Sequence, residues 1–412
     1  MDILDQLPRP GVRRLAVRVT PDAARRLRAG HPWLFDRSIT SVSGAGDHLP
    51  GDLAVVFDPK RSFVAVGLYD PASPIRVRIL HHGSPAAIDE AWWGARLDGA
   101  LARRSGLAGS GTTTAYRCIH GENDGFPGLV LDRYASTYVL KLYSTAWLPH
   151  LSMLVPLIGE RVGWERLVLR LGRGVQRDRG LPEGVADGVT IEGTPPSGLI
   201  PFLENGLAFE ADVVRGQKTG HFLDQRDNRA AFAALCRRRR VLDVFSGTGG
   251  FGLAALSKGA ASALAVDASK SSIERLTENA AANGFSAAVQ THAGDAFEKM
   301  RALVGENARF DAVSVDPPRF ASSRRELDGA IRGYHELNLK AMQVLVPGGI
   351  LATSSCTGVL PDEEFERIVR DAAVDARRRV QVLRRGGQGP DHPWLTAVPE
   401  GRSLKHLLAR VL

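Results

Sequence analysis

The chain has 412 residues, 44% of them hydrophobic and 24% charged, which is too many for one ordinary core and suits two or three globular domains. The formal charge is +8, carried mainly by arginine, so a polyanionic partner such as nucleic acid stays open. No run approaches the roughly 18 apolar residues of a membrane span, and MDILDQLPRPGVRRL lacks the apolar core of a signal peptide. Cys118, Cys236 and Cys356 are too sparse for a disulfide framework or a metal site. A cytoplasmic protein with no metal and no membrane partner is expected.

The stretch of about 12–84 reads as short β-type runs broken by turn signals: RLAVRVT, GDLAVVFDP, FVAVGLYD and IRVRILHH. One short helix, PDAARRLRAG, stops on Gly30. Its cations, Arg25, Arg26 and Arg28, stand near His31 and Trp33, a mixture that suits single-stranded or hairpin RNA. Trp33 and Phe35 fit a hydrophobic core equally well. A helical pattern follows at 88–107, then strand-like runs (AYRCIHGE, GLVLDRYA, TYVLKLY) of a middle α+β piece. From about 205 the texture turns to βαβ. Apolar runs VLDVF, SALAVDA, AAVQTHAG, DAVSVDPP and GGILATSSC alternate with helical patterns, which predicts a doubly wound α/β sheet. The final runs VQVLRRG and LKHLLARVL could supply two more strands at one edge. The expected domains are therefore 1–84, 85–204 and 205–412.

VLDVFSGTGGFG sends a buried strand into a glycine turn with a helix behind it. Gly247, Gly249 and Gly252 satisfy G-x-G-x-x-G, which alone admits a dinucleotide. Asp243, inside the strand, would repel a pyrophosphate but could hold the loop or a cationic amino group. Asp267 closes the second strand and suits ribose hydroxyls, although it or Ser269 could equally serve the next helix as a cap or turn residue. Asp295, after the third strand, suits an adenine amino group. In order, these acids favour S-adenosylmethionine. The expected cofactor set is Gln225, Asp243, Phe245, Ser246, Gly247, Thr248, Gly249, Asp267, Ala268, Ser269, Asp295, Ala296 and Asp316.

The fourth strand ends in Asp316-Pro317-Pro318-Arg319-Phe320 and the fifth in Ser354-Ser355-Cys356-Thr357-Gly358. Neighbouring strands should bring Asp316 and Cys356 into one pocket. C5 of cytosine is too poor a nucleophile to take a methyl cation unaided, whereas a thiolate added at C6 makes an enamine that can. Cys356 is thus expected as nucleophile and Asp316 as the cytosine-binding acid. Taken alone, Cys356 would read as a small buried residue at a strand end. Cys236 and Cys118 are expected to be structural.

These strings resemble the large-subunit ribosomal RNA cytosine-C5 methyltransferases of the RlmI type, over nearly the whole chain. VRRLAVRVTPDAARRLRAGHPWLF and GDLAVVFDP are similar to the start of a PUA RNA-binding domain. YRCIHGENDGFPGLVLDRY resembles the family's central domain, and GQKTGHFLDQRDNR its entry to a class I, Rossmann-like methyltransferase domain. DPPRF, SSCTG and GPDHPWLTAVPEG follow in order. The resemblance implies that Gln225 approaches the cofactor and that Lys218, Arg226 and Arg229 line its side or the RNA's. Together with Arg28, Trp33 and Arg319 these form the expected RNA-binding set. It also implies a mechanism with one cysteine rather than two. His221 stands where the family has an aromatic, and Gly247 where a larger residue is frequent.

The expected substrate is large-subunit (23S) rRNA, free or in an early precursor, giving 5-methylcytidine; a homodimer stays open. One rival is a guanine or adenine methyltransferase of the same fold. Enzymes acting on exocyclic nitrogens favour an aromatic directly after Asp-Pro-Pro, where this chain has Arg319. A nicotinamide oxidoreductase, or an RNA-binding protein with an inactive methyltransferase domain, would leave Cys356 and the Asp-Pro-Pro turn without a task.

Overall fold

The computed structural model describes residues 3–11, 14–43 and 48–412. Val12 and Arg13, which open the PUA-like string, lie outside the described residues. The chain folds into two compact units. One comprises Met1–Phe202, Ala211–His221 and Asp391–Gly401, and the other Leu203–Glu210, Phe222–Pro390 and Arg402–Leu412. Among the described residues no helix is long and apolar enough to cross a membrane.

In the first unit, β1 (Leu15–Val19), β2 (Trp33–Phe35), β3 (Ile39–Ser43), β4 (Leu53–Phe57), β5 (Phe63–Tyr69) and β6 (Ile75–His82) form one sheet, in the order β2-β6-β5-β4-β1-β3. Alternation drives it: Leu15, Val17 and Val19 are buried while Arg18 points out. The expected short helix is Pro21–Arg28. Thr20 caps it through the Ala23 N–H at 3.3 Å, and Ala23, Ala24 and Leu27 face the core. Gly67 has no substitute, because a Cβ there would lie 2.3 Å from the Arg78 carbonyl oxygen.

A second sheet of this unit runs β11-β10-β9-β8-β7, built from β7 (Ala115–His120), β8 (Leu129–Tyr134), β9 (Thr137–Leu142), β10 (Arg166–Leu171) and β11 (Val189–Gly193). The helix expected over 88–107 is Glu90–Ala102, followed by a separate turn at Ser105–Ala108. Arg103 and Arg104 explain the break. Both turn onto Asp124, whose buried carboxylate accepts Arg104 Nη1 and Nη2 (2.9 and 2.6 Å), Arg103 Nη2 (2.7 Å) and the His120 N–H (2.7 Å). Trp93, Phe126 and Trp147 pack beside this cluster. Cys118 is buried on β7, as expected of a structural cysteine.

A two-stranded ribbon, β12 (Ile200–Glu204) with β13 (Leu207–Ala211), comes next in the chain. The second unit is a seven-stranded sheet of β14 (Arg240–Val244), β15 (Ser262–Asp267), β16 (Val289–Ala293), β17 (Phe310–Val315), β18 (Leu345–Ser355), β19 (Val380–Gly386) and β20 (Lys405–Val411). Its order is β16-β15-β14-β17-β18-β20-β19. The first five strands are parallel, whereas β20 runs antiparallel to both β18 and β19. The two tail runs thus add two strands at one edge of the sheet, as expected, with β19 outermost and β20 between it and β18. Strand order reverses between β14 and β17, which opens a crevice at their carboxyl ends.

The helix Arg226–Ala233 starts and stops earlier than the run RAAFAALCR suggested. Arg238 takes a left-handed conformation (φ 60°) and turns the chain into β14, with Cys236 buried before it.

Asp124→Ala leaves the Arg104 guanidinium buried without its counter-charge, and a loss of about 3–5 kcal/mol is expected. Urea unfolding should show a clear fall in midpoint, and an unchanged midpoint would mean that the cluster contributes little.

Candidate active site

The glycine turn is organised around Asp243, the fourth residue of β14. Its carboxylate accepts the Gly252 N–H at 2.8 Å and the Ser314 hydroxyl at 2.6 Å, and so links the strand, the helix Gly250–Ser257 and β17. Gly252 must be bare, since a Cβ there would press on Asp243 Oδ2 at 3.2 Å. Gly249 has φ 97°, and its missing Cβ would lie 2.9 Å from Leu276 Cγ. Phe245 is left-handed without being glycine (φ 61°), a strained conformation of a kind that concentrates at functional sites. Nothing lies within 4 Å of the position a Gly247 Cβ would take. Ser246 Oγ is buried without a hydrogen-bond partner, and the Thr248 carbonyl accepts from Asn279 at 3.0 Å.

Asp267 closes β15 with both oxygens engaged: Oδ2 accepts the Gly247 N–H and Oδ1 the Ser269 N–H, each at 2.9 Å. The cap of helix Lys270–Ala282 is Ser269, not Asp267; Ala268 is exposed between them. Asp295 is exposed and caps helix Ala296–Gly305 through the Glu298 N–H at 2.9 Å, with Ala296 buried beneath it.

Asp316 and Cys356 lie on neighbouring tips. β17 and β18 pair in parallel, Val315 against Thr353. Past them, Cys356 Sγ stands 3.9 Å from the Pro317 carbonyl oxygen and Arg319 Nε 3.4 Å from the Cys356 carbonyl oxygen. Gln225, only 2% exposed, donates from Nε2 to Asp316 Oδ1 (2.8 Å) and Ser354 Oγ (3.1 Å). Asn228 donates to Gln225 Oε1 at 2.7 Å and to the Gly387 carbonyl at 2.8 Å, which fixes the amide orientation. Ser354 Oγ lies 2.9 Å from His406 Nδ1; burial pushes that imidazole down to about 3, so it is neutral.

The remaining expected residues are scattered. Arg226 and Arg229 are buried, and Arg229 is paired with Glu204, with Nε to Oε1 at 2.6 Å. Arg226 Nε donates to Asp227 Oδ1 at 3.1 Å, so each of the two guanidiniums engages a carboxylate of its own unit. Arg319 is exposed. In the first unit, Lys218 is exposed and its carbonyl accepts Lys141 Nζ at 2.7 Å. Arg28 pairs with Asp58 at 2.7 Å, and Trp33 donates to Glu122 at 2.8 Å while Phe35 stays partly exposed. His221 is buried against Phe202, ring centroids 5.1 Å apart. Sequence reasoning missed Asn228, Ser314, Tyr334, Ser354, Lys405 and His406. Asn228 and Ser354 stand inside quoted motifs, Ser314, Lys405 and His406 only inside runs read as strands, and nothing local marked Tyr334.

The glycine turn fits an S-adenosyl ligand. It has open space above Gly247, an orphaned hydroxyl at Ser246, and an acid closing the next strand. The fold is that of the class I S-adenosylmethionine-dependent methyltransferases, preceded by a PUA-like domain. A model of S-adenosylmethionine-dependent methyltransferases matches residues 178–408, and a PUA-like domain model matches residues 17–82. A ribosomal RNA large subunit methyltransferase of Deinococcus radiodurans is 44% identical over 93% of this chain and 95% of its own. Ribosomal RNA large subunit methyltransferase I of Shewanella denitrificans is 38% identical over 96% of this chain and 99% of its own. In fold, the chain is similar to a putative methyltransferase crystallised with SAH, at TM-score 0.82 and 19% identity, covering 96% of this chain and 99% of that one. The chain belongs to the ribosomal RNA large subunit methyltransferase I family, and its cofactor is S-adenosylmethionine.

Burial raises the Asp243 carboxyl to about 6, against the Ser314 and Gly252 hydrogen bonds that lower it. A raised carboxyl costs stability once the unfolded chain ionises, so the penalty builds as pH climbs from about 4 to about 6. Relative to Asp243→Asn, the wild-type chain should therefore gain stability as pH falls from 7 to 4.5. Melting curves of the pair across that range check it; a constant difference would mean that Asp243 ionises normally.

Proposed function

We propose that this enzyme methylates C5 of a cytosine in large-subunit ribosomal RNA through a covalent adduct of Cys356. The observation that carries the reading is the juxtaposition of Cys356 and the Asp316 loop on adjacent strand tips, beside the glycine turn. The relatives' names support the RNA, and a cytoplasmic location follows from such a substrate.

In this reading Asp267 meets the ribose hydroxyls, Asp295 and Ala296 flank the adenine, and the turn from Phe245 to Gly249 with Asp243 faces the methionine end. S-adenosylmethionine supplies an electrophilic methyl to C5. The chain's own residues do the rest. The Cys356 thiolate adds to C6, and the C5=C6 π electrons move onto the ring as an enamine. Asp316 holds the exocyclic amino group together with a proton on N3, which draws electrons away from C6. Gln225 grips the Asp316 carboxylate from behind, so that it meets the base in one orientation. After methylation a base removes the C5 proton, the C5=C6 bond reforms and Sγ leaves. The PUA-like segment of the 1–84 domain and the central 85–204 domain dock the RNA in this reading, with Arg28, Lys218 and Arg319 as exposed cations.

The test is transfer of tritiated methyl to unmodified large-subunit rRNA, with the product identified as a nucleoside by mass. Label in 5-methylcytidine is expected, and it should vanish with Cys356→Ala while S-adenosylmethionine binding persists. Label in a methylated guanosine or adenosine would sink the thiolate route. Separately, Asp267→Ala should weaken S-adenosylmethionine binding by roughly tenfold or more, read by calorimetry, since a buried charge-assisted bond is worth about 1.5–3 kcal/mol. Unchanged affinity would remove Asp267 from the ribose.

A further inference from the structure

The loop bearing Cys356 is held from several sides. Ser355 pairs with Lys405 across the β18–β20 ladder, and Cys356 is the first residue beyond that pair. Lys405 Nζ donates to the Thr357 carbonyl at 3.0 Å. The Tyr334 hydroxyl lies 2.8 Å from Thr357 Oγ1, and the Thr357 N–H donates to Ser355 Oγ at 3.2 Å.

Lys405 is the unusual member of this group. Its side chain is buried, with the residue 4% exposed, yet among the described residues no carboxylate lies within ion-pairing distance of it. A buried ammonium bonded to a carbonyl is costly unless negative charge stands nearby. The groups facing Cys356 limit what that charge can be. Asp316 and Arg319 follow β17, and Arg319 is exposed to solvent and salt. Asp362 opens helix Asp362–Asp375 and is tied to Arg402 at 3.2 Å. Burial pushes the Tyr334 hydroxyl up to about 12, so it stays neutral. Asp362 and the Cys356 thiol both favour the Lys405 charge, and the thiol is the one that the proposed reaction needs ionised.

We propose that Lys405 is a positioning residue for the reaction: its buried ammonium, fixed on the carbonyl next to Cys356, favours the thiolate. The inference rests on the reading of Cys356 as nucleophile. The proton lost from Sγ passes to water, Lys405 keeps its own, and no bond to Lys405 forms or breaks. Burial draws the Lys405 ammonium below its ordinary value, while Asp362 and Cys356 hold it up, so thiol and amine act on each other's ionisation.

The experiment follows iodoacetamide alkylation of Cys356 against pH in the full-length protein, read on its peptide by mass spectrometry. In the wild type the inflection should fall below the ordinary thiol value of about 8.5. Lys405→Met should raise it by about one unit or more, slowing alkylation at pH 7 roughly tenfold. Lys405→Arg should hold it near the wild-type value. A wild-type inflection at or above the ordinary value overturns the proposal, and this result does not depend on any variant folding. So does an unmoved inflection in a Lys405→Met protein with a wild-type melting curve. Neither reading depends on which base is methylated, so a failure here is distinct from a failure of the Cys356→Ala methylation assay.

Discussion

The Asp243 carboxylate is placed where the strand order of the sheet reverses, and the geometry of the crevice follows from its two hydrogen bonds. One goes to the N–H that starts the helix behind the glycine turn, the other to a hydroxyl on β17. A buried carboxyl with both oxygens used is a stiff joint, because releasing either partner strands a polar group away from water. The turn can then keep Phe245 and Gly249 in left-handed conformations and leave open space over Gly247.

The reacting tips depend on a second network that reaches across the sheet. Asn228 and Gln225 come from the segment opening the unit, Asp316 from β17, Ser354 from β18 and His406 from β20. Gln225 is the hub, because its amide donates to both strand tips and accepts from Asn228. The tail of the chain is thus part of the site. The antiparallel return of β20 brings His406 and Lys405 under the loop that carries Cys356.

The positive charge has a related lesson. Arg104, Arg117, Arg170 and Arg229 are largely withdrawn from solvent and paired with Asp124, Asp132, Asp187 and Glu204. Guanidinium forks suit such buried pairs. These arginines therefore brace the interior of each unit, and the cations free to meet a polyanion are fewer than the arginine count suggests.

Strand and helix alternation, the glycine turn, the spaced acids and the order of the motifs were legible in the sequence, since each rests on local periodicity or on a turn that only certain residues permit. The sequence also determined that Asp316 and Cys356 end adjacent strands, because parallel βαβ units place consecutive tips side by side. What only the tertiary structure decided were the partners. The resemblance implied that Arg226 and Arg229 line the cofactor's side or the RNA's, and only the structure shows that both are buried, Arg229 against Glu204. Asp267 engages the Gly247 N–H while Ser269 takes the cap. Lys405 and His406 carried no local signal beyond that of a strand, because their surroundings come from β18, about fifty residues earlier in the chain. Such pairings are set by sheet register and long-range packing, to which local periodicity is blind.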